Sequence, residues 1–407
     1  MPPQLEMDNL KKIVCDAIDK ESEQLCDLSS KIWHLKELAY QEHQSHATLT
    51  QFFLDRGFEV VPHHVIETAF VATFETSSGA VEGTQKKPHV AVICEYDALP
   101  EIGHACGHNL IAELGVAAGL GIKAALEQNK NISGKLSIIG TPAEEGGGGK
   151  IDLINAGVFD GVDVAMMAHP APFTDARPTF LASKRFIVDY HGRASHAGGF
   201  PWEGVNALDA AVLGYMNVAA LRQQMRPTWR VHTIITKGGV KTNVIPDETQ
   251  LSLQIRAPID SECKLLETKV KQCLTASATA SGCTVDITDS KKPYESLITN
   301  NTLATLYETN GAAVGVEFPP TSPKKVLGST DMGNVSHRIP SLHPTYDIGT
   351  DAVNHTHEFT TATGSQTAQS FTIAQGKALA MVALDIFQKP ELLLQIRKDF
   401  EEDMKNL

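Results

Sequence analysis

Strand and helix signals alternate along this 407-residue chain as expected of an α/β protein. The predicted sheet is mixed, mostly parallel and flanked by helices, and a unit of ferredoxin-like α+β order interrupts it mid-chain. Three features carry that expectation. The runs HVAVIC (89–94), KLSIIG (135–140) and VDVAMMA (162–168) are almost continuously apolar, the pattern of strands buried on both faces. Segments of helical period lie between them, so strand and helix alternate as in a parallel sheet. The middle third then changes to strands of period two, each with one wet face.

Residues 8–56 place Ile13, Ala17, Leu25, Leu28, Ile32, Leu35 and Leu38 at helical spacing, and the part from 44 to 56 runs to a stop at Gly57. After the first apolar strand, 109–128 is rich in Ala, Leu and Gly at helical period, and 150–157 ends at Gly157. RFIVDYH (185–191) alternates, 203–224 is an amphipathic helix, RVHTIIT (230–236) and TQLSLQIRA (249–257) alternate again, 260–281 is a helix, and CTVDITD (283–289) is a last strand. That β-α-β-β-α-β order is the split ferredoxin-like motif, small enough to be an inserted domain. Helical pattern returns at 300–315 and 365–388. At ~150 residues per domain the length suggests two or three domains. The expected organisation is one domain from 1–183 and 295–407, with an inserted one at 184–294.

Forty-eight acidic against 35 basic side chains leave a net charge of −13, a field that repels nucleic acid and anionic membrane, so neither is an expected partner. No apolar run approaches the ~18 residues of a membrane span, and the first twenty residues carry charge every few positions with no apolar h-region. Seven scattered cysteines without a CxxC pair fit neither a disulfide framework nor a zinc ribbon. The chain is expected to be soluble, reduced and cytoplasmic, with the nucleus also open to it.

The densest chemistry is CEYDALPEIGHACGHN, 94–109, in the loop after the first buried strand, where open α/β sheets bind ligands. His104, Cys106 and His108 offer imidazole and thiolate, ligands that suit a borderline ion such as zinc. The alternatives are a loop of solvated or helix-capping polar residues and a Cys106 nucleophile activated by His108; the nearby carboxylates argue against the latter, because they raise a thiol pKa. TPAEEGGGGK, 141–150, follows the second strand. Its paired carboxylates Glu144 and Glu145 repel unless a cation compensates, leaving one to ligate and one to act as base. A phosphate loop is excluded, since the Walker pattern needs Gly at 144 and Ser or Thr at 151, where the chain has Glu144 and Ile151. His169 follows the third strand, so three neighbouring strands each end in metal-ligand chemistry on one rim. NHTHEF (354–359) adds His355 and His357, of which one is expected to ligate. In the middle unit, His196 of RASHAG could polarise a carbonyl, Asn243 could hydrogen-bond one and Arg256 could hold a carboxylate; ordinary surface chemistry is the simpler account of the last two.

With the order YDALP, HACGHN, TPAEE, AHP, SHAG, NVIP, GSTDMGNVS and NHT assembled, the chain resembles, essentially end to end, the co-catalytic metallopeptidases typified by aminoacylase, carnosinase and bacterial carboxypeptidase G. It is most similar to the branch with cysteine in the metal loop, which hydrolyses hippurate, auxin conjugates and aminobenzoyl-glutamate. GSTDMGNVS and PWEGVNALDAAV point further, to dipeptidases that release a basic C-terminal residue. The resemblance implies a phosphorylase/hydrolase-like catalytic domain, with the inserted domain serving as lid and dimerisation unit. It implies Cys106, His108, Glu145, His169 and His355 as ligands of one or two divalent ions, zinc or manganese. Glu144 is then the general base and Asp97 orients a ligand. His196 stabilises the oxyanion across a homodimer, and Asn243 and Arg256 grip substrate. Two positions depart from the pattern: Glu95 stands where most of the family has a ligating histidine, and Asn109 where the branch commonly has aspartate. The implied activity is hydrolysis of dipeptides such as β-alanyl-lysine and β-alanyl-ornithine, by-products of carnosine-type dipeptide synthesis. An amidohydrolase of N-acyl or aminobenzoyl amino acids and a non-catalytic homologue are the alternatives. Asp331 of GSTD is the residue to examine for reading a substrate lysine.

Overall fold

The computed structural model describes residues 3–76, 87–319, 328–405 and 407, with the side chains of 3–6 excepted. It divides into two compact units, Met1–Thr179 with Leu297–Val326 and Asp331–Asn406, and Phe180–Ser296 with Leu327–Thr330 and Leu407.

The first unit opens with helices α1 (Pro3–Lys20), α2 (Ser22–Leu35) and α3 (His43–Asp55), then β1 (Glu59–Pro62) and β2 (Phe70–Glu75). There follow β3 (His89–Cys94), α4 (His108–Gln128), β4 (Lys135–Gly140), α5 (Gly149–Asn155), β5 (Val164–Met166) and β6 (His169–Ala171). Sheet order is β1-β2-β4-β3-β5 and then β11 (Ser341–Leu342). β3 runs parallel to β4 and β5, and β11 parallel to β5; β1–β2 and β2–β4 are antiparallel. The sheet is thus mixed and mostly parallel. β3 shows why its sequence is continuously apolar: Val90, Val92 and Cys94 pack into one core cluster while Ala91 and Ile93 pack into another. Burying a side chain such as Val92 or Ile138 contributes roughly 1.5–3 kcal/mol.

β1 and β2 were not expected from the sequence. β1 has only four residues and is exposed along most of its length, while β2, as long as β3, alternates buried with half-buried positions, so neither carries the apolar run that marks the central strands. A second correction concerns apolar length. α4 and α11 (Gln366–Gln388) are long and apolar enough to cross a membrane on composition alone, yet 89% and 72% of those windows lie buried inside the protein. They pack on each other and α1 as core helices, which accounts for their composition.

The second unit contains β7 (Ala182–His191), α6 (Ala207–Leu221), β8 (Arg230–Lys237), β9 (Glu248–Ala257), α7 (Asp260–Ser281) and β10 (Thr284–Asp289). Its sheet has the order β10-β7-β9-β8, antiparallel throughout, the ferredoxin-like arrangement read from the pattern. Phe186, Val188, Tyr190, Leu251, Leu253 and Ile255 pack with α6 and α7, and the alternate strand positions face away. The chain then returns to the first unit with α8 (Asn301–Ala313), α9 (Met332–Ser336), β11, β12 (Thr345–Asp347, paired with β6), α10 (His357–Thr363), α11 and α12 (Pro390–Lys405). All seven cysteines are free thiols.

Candidate metal centre

Because β4, β3 and β5 are parallel neighbours, their carboxyl ends open onto one rim. β3 delivers Glu95 and Asp97, β4 delivers Glu144 and Glu145, and the chain after β5 delivers His169. The start of α4 completes the rim with Cys106 and His108 around Gly107, whose φ is +84°. A side chain at 107 would bring its Cβ to 2.4 Å from Pro170 Cγ, so only glycine fits there. His355 arrives from the returning segment, held by its amide to the Ala105 carbonyl at 2.8 Å.

Their donor atoms converge. Cys106, His108 and His169 form one group, Cys106, Glu145 and His355 a second, and His108, Glu144 and Glu145 a third, the ligand atoms of each group lying within 4.8 Å of one another. Cys106 Sγ is 3.4 Å from His169 Nε2, and His355 Nε2 is 3.3 Å from Glu145 Oε1. The imidazoles are oriented from behind. Asp97 Oδ1 lies 2.9 Å from His108 Nδ1, and the Pro170 carbonyl 2.8 Å from His169 Nδ1. With each Nδ1 engaged, each Nε2 is turned to the donor cluster, the arrangement that second partners impose on metal-binding histidines.

Glu95 Oε2, His108 Nε2 and Glu145 Oε1 are buried there without a hydrogen-bond partner. Glu95 Oε2 and His108 Nε2 approach to 3.4 Å, and Glu145 Oε1 and His355 Nε2 to 3.3 Å, as ion-pair contacts without hydrogen-bond geometry. Buried polar atoms left in this way are costly unless something else binds them. Sulfur, imidazole nitrogen and carboxylate oxygen with open lone pairs form a donor set that fits a divalent borderline ion such as zinc. The shared residues of the three groups leave room for one ion or two.

The same crowding separates the paired carboxyls. Burial, with Glu95, Glu145 and Asp331 adding repulsion, holds Glu144 well above the usual carboxylate range. Burial also acts on Glu145, but His355 and His108 outweigh it and keep that carboxyl low. Two adjacent acids pushed apart by their surroundings are suited to different roles, one to carry a proton and one to ligate. Cys106 is buried beside Glu145, which together raise its thiol pKa, the opposite of what a nucleophilic cysteine needs.

Residues 91–367 match the family described as Peptidase family M20/M25/M40. The chain belongs to that peptidase family. The peptidase is 50% identical to the Xaa-Arg dipeptidase of Mus musculus and 48% identical to that of Homo sapiens, each match covering 97% of this chain and 93% of the relative. Its fold is similar to that of a dinuclear metal-binding M20 peptidase of Bacillus subtilis, with a TM-score of 0.72 at 16% identity, covering 91% of this chain and 99% of that one.

Asp331, the residue singled out for examination in GSTD, is already occupied by an internal lysine in the peptidase. Lys150 Nζ lies 2.6 Å from Asp331 Oδ1, its backbone amide donates to Asp331 Oδ2 at 3.0 Å, and its ammonium reaches Glu95 Oε1 at 2.5 Å. All three side chains are fully buried. Burial works against the Lys150 charge, but Asp331, Glu95 and Glu144 outweigh it and raise its pKa. Glu95, the departure from the family's histidine, is therefore clamped between Lys150 and His108. Asn109 also faces away from the donor set, its amide donating to Ser29 Oγ at 3.1 Å and the Thr363 carbonyl at 3.0 Å. His104 bonds the Ile32 carbonyl and His357 starts α10, so neither joins the cluster. Glu42, Lys150 and the buried His343, whose ring centroid is 5.7 Å from that of His169, were not anticipated.

Within the inserted unit, His196 and Asn243 are neighbours: the Ala197 amide donates to the Asn243 carbonyl at 3.0 Å. His196 Nδ1 accepts the amides of Gly198 and Gly199 at 3.2 and 2.9 Å, which places the proton of the neutral ring on Nε2 as a donor. Arg256 lies at the other end of the sheet. It pairs with Ser183, whereas the chain leaves for the His196 loop after His191 opposite Glu248. Eight residues of ladder separate these ends, ~26 Å at ~3.3 Å per residue.

Proposed function

We propose that the peptidase is a metal-dependent dipeptidase cleaving small dipeptides with a basic C-terminal residue, β-alanyl-lysine and β-alanyl-ornithine among them, and so clearing by-products of carnosine-type dipeptide synthesis. The observation that carries this reading is the convergence of Cys106, His108, Glu145, His169 and His355 beside Glu144, in a chain half identical to Xaa-Arg dipeptidases. Those five side chains would hold one or two divalent ions, zinc or manganese. Bound there, such ions supply Lewis acidity, favouring ionisation of a water and offsetting charge on the amide oxygen.

The protein's own residues do the rest. Glu144, buried and with a high proton affinity, takes the proton of the attacking water and returns it to the leaving amine. Asp97 serves the centre twice, orienting His108 through Nδ1 and accepting the Glu145 amide at 3.0 Å. His196, with Nε2–H outward, stabilises the tetrahedral oxyanion. Asn243 and Arg256 hold the substrate. A dipeptide backbone spans only ~7 Å, so His196 and Arg256 of one inserted unit do not both reach one substrate molecule. Joint use of both requires two copies of the chain, which supports a homodimer with His196 acting in trans. We place the enzyme in the cytoplasm, with the nucleus accessible to it and with neither nucleic acid nor membrane as partner.

The test is a panel of β-alanyl-lysine, β-alanyl-ornithine, N-acetyl amino acids and aminobenzoyl-glutamate, run with parent and Glu144→Gln proteins. Preference for the basic dipeptides, with turnover lowered ~100- to 10,000-fold in Glu144→Gln, is the expected result. Preference for acyl or aminobenzoyl substrates overturns the substrate class, and full turnover in Glu144→Gln overturns the base.

A further inference from the structure

Two buried carboxylates grip the backbone on either side of Glu144. Asp97 Oδ2 accepts the amide of Glu145 at 3.0 Å, and Glu42 Oε1 accepts the amide of Ala143 at 2.9 Å. Glu42 is fully buried. Its Oε1 also accepts the Tyr40 amide at 3.0 Å, and its Oε2 the Thr68 hydroxyl at 2.8 Å. Burial, with repulsion from Asp97, pushes the Glu42 carboxyl up to about 7, and in either protonation state a carboxyl oxygen can accept these amide and hydroxyl hydrogens.

Ala143 needs a firm hold. Its φ is +62°, the left-handed region where Cβ crowds the following carbonyl and which alanine seldom occupies. It is also the elbow of the loop: its carbonyl accepts the amides of Gly147 and Gly148 at 3.0 and 2.9 Å. Its dihedral angles therefore set the direction in which the next side chain, that of Glu144, leaves the backbone. The strap carrying Glu42 braces the far side of the same loop, where the Tyr40 hydroxyl lies 2.8 Å from the Gly147 carbonyl and 2.9 Å from Asp152 Oδ2. Strain of this kind persists only where surrounding structure enforces it, and it collects at functional sites.

We propose that Glu42 is a positioning residue for the catalytic base: by holding Ala143 in its left-handed conformation it aims the Glu144 carboxyl into the donor cluster. This deepens the proposed function and rests on Glu144 as the proton carrier. Glu42 itself touches neither substrate nor metal donors in this role. Its influence passes through one backbone hydrogen bond.

The logic gives a rescue test. Glycine adopts positive φ without the Cβ penalty, so Ala143→Gly should make Glu42 less necessary. The cycle compares parent, Glu42→Ala, Ala143→Gly and the double variant as metal-loaded enzymes, reading kcat and KM on the best substrate of the panel. Zn²⁺ affinity of the chelated proteins is measured by calorimetry. Glu42→Ala should lower kcat by about 100-fold, the scale of an ångström-sized misplacement, with KM and Zn²⁺ affinity changed less than about twofold. Adding Ala143→Gly to it should restore kcat by about tenfold, the scale of the left-handed penalty. Glu42→Gln, which keeps an acceptor oxygen, should retain most of kcat. Should Glu42→Ala fail to accumulate folded, Glu42→Asp, which shortens the reach to Ala143, replaces it in the cycle.

Unchanged kcat on removing the Glu42 contact, no recovery with glycine, or equal loss of kcat, KM and Zn²⁺ affinity would each overturn the proposal. Full turnover in Glu144→Gln would instead remove the base on which it rests. A flat cycle alongside an inactive Glu144→Gln rejects Glu42 alone.

Discussion

Replacing Lys150 by methionine probes the charge balance beneath the centre. The ammonium contacts Glu95 and Asp331 at 2.5 and 2.6 Å, with all three side chains at zero exposure. At an effective dielectric of ~20, each contact contributes roughly 6–7 kcal/mol of attraction before desolvation is subtracted. Desolvation cancels most of that, and removing one member of a buried pair typically costs about 3–5 kcal/mol because the partner is left charged and dry. Here two carboxylates are stranded, so Lys150→Met should fall at the upper end of that range. At about 2 °C per kcal/mol for a large domain, the melting temperature should drop by roughly 10 °C. Urea unfolding and calorimetry on chelated protein measure this without a contribution from metal. The triple variant Glu95→Gln/Lys150→Met/Asp331→Asn, which has no uncompensated charge, should recover more than half of the loss. A loss below about 1 kcal/mol in Lys150→Met, or a triple variant no more stable than the single one, would refute the buried triad as described.

Other outcomes follow from the same geometry. Asp331→Ala should lower overall activity yet leave the ratio of lysine to neutral C-terminal substrates unchanged, because Asp331 is saturated by Lys150; a collapsed ratio would return it to substrate recognition. Glu113 lies fully buried in α4, where burial pushes its carboxyl up to about 8 against hydrogen bonds from Ser29 and Gln369. A folded pKa above the unfolded 4.5 means that its contribution is full below pH 4.5 and is lost as pH rises through 8. Glu113→Gln should therefore flatten the stability profile between pH 5 and 8 by up to roughly 4 kcal/mol, and parallel profiles for parent and variant would contradict this. Cys106 in chelated protein should be alkylated by iodoacetamide more slowly than an unperturbed thiol, measured by peptide mass spectrometry; rapid capture would favour the cysteine nucleophile. Gly107→Ala should weaken Zn²⁺ binding by at least tenfold, since the clash with Pro170 displaces both Cys106 and His108; unaltered affinity would show that the loop relaxes freely.

Much of this was legible in the sequence where one residue's environment is set by its own strand. HVAVIC and KLSIIG are continuous because β3 and β4 are covered on both faces, and the ferredoxin-like unit shows itself because each strand has one wet face. The order of the candidate metal donors was legible for a related reason: a parallel sheet puts successive strand ends on one rim. β1 was missed because a four-residue, largely exposed edge strand lacks such a signal, and β2 because its buried positions alternate with half-buried ones instead of forming a continuous apolar run. Glu42 and Lys150 were missed because their meaning lies in partners 101 and 181 residues away, which no local pattern encodes. What occupies Asp331 was hidden for the same reason: its partner Lys150 is 181 residues away in the chain. The separation of Arg256 from His196 is likewise a matter of strand register rather than composition.

The central claim, a metal centre hydrolysing basic dipeptides, is tested most directly by amine release from β-alanyl-lysine by the purified protein. Release is measured before chelation, after chelation, and after Mn²⁺ or Zn²⁺ is restored. The account predicts activity that chelation abolishes and metal returns. Undiminished activity in chelator would contradict the metal centre, and no hydrolysis in any metal state would contradict the dipeptidase.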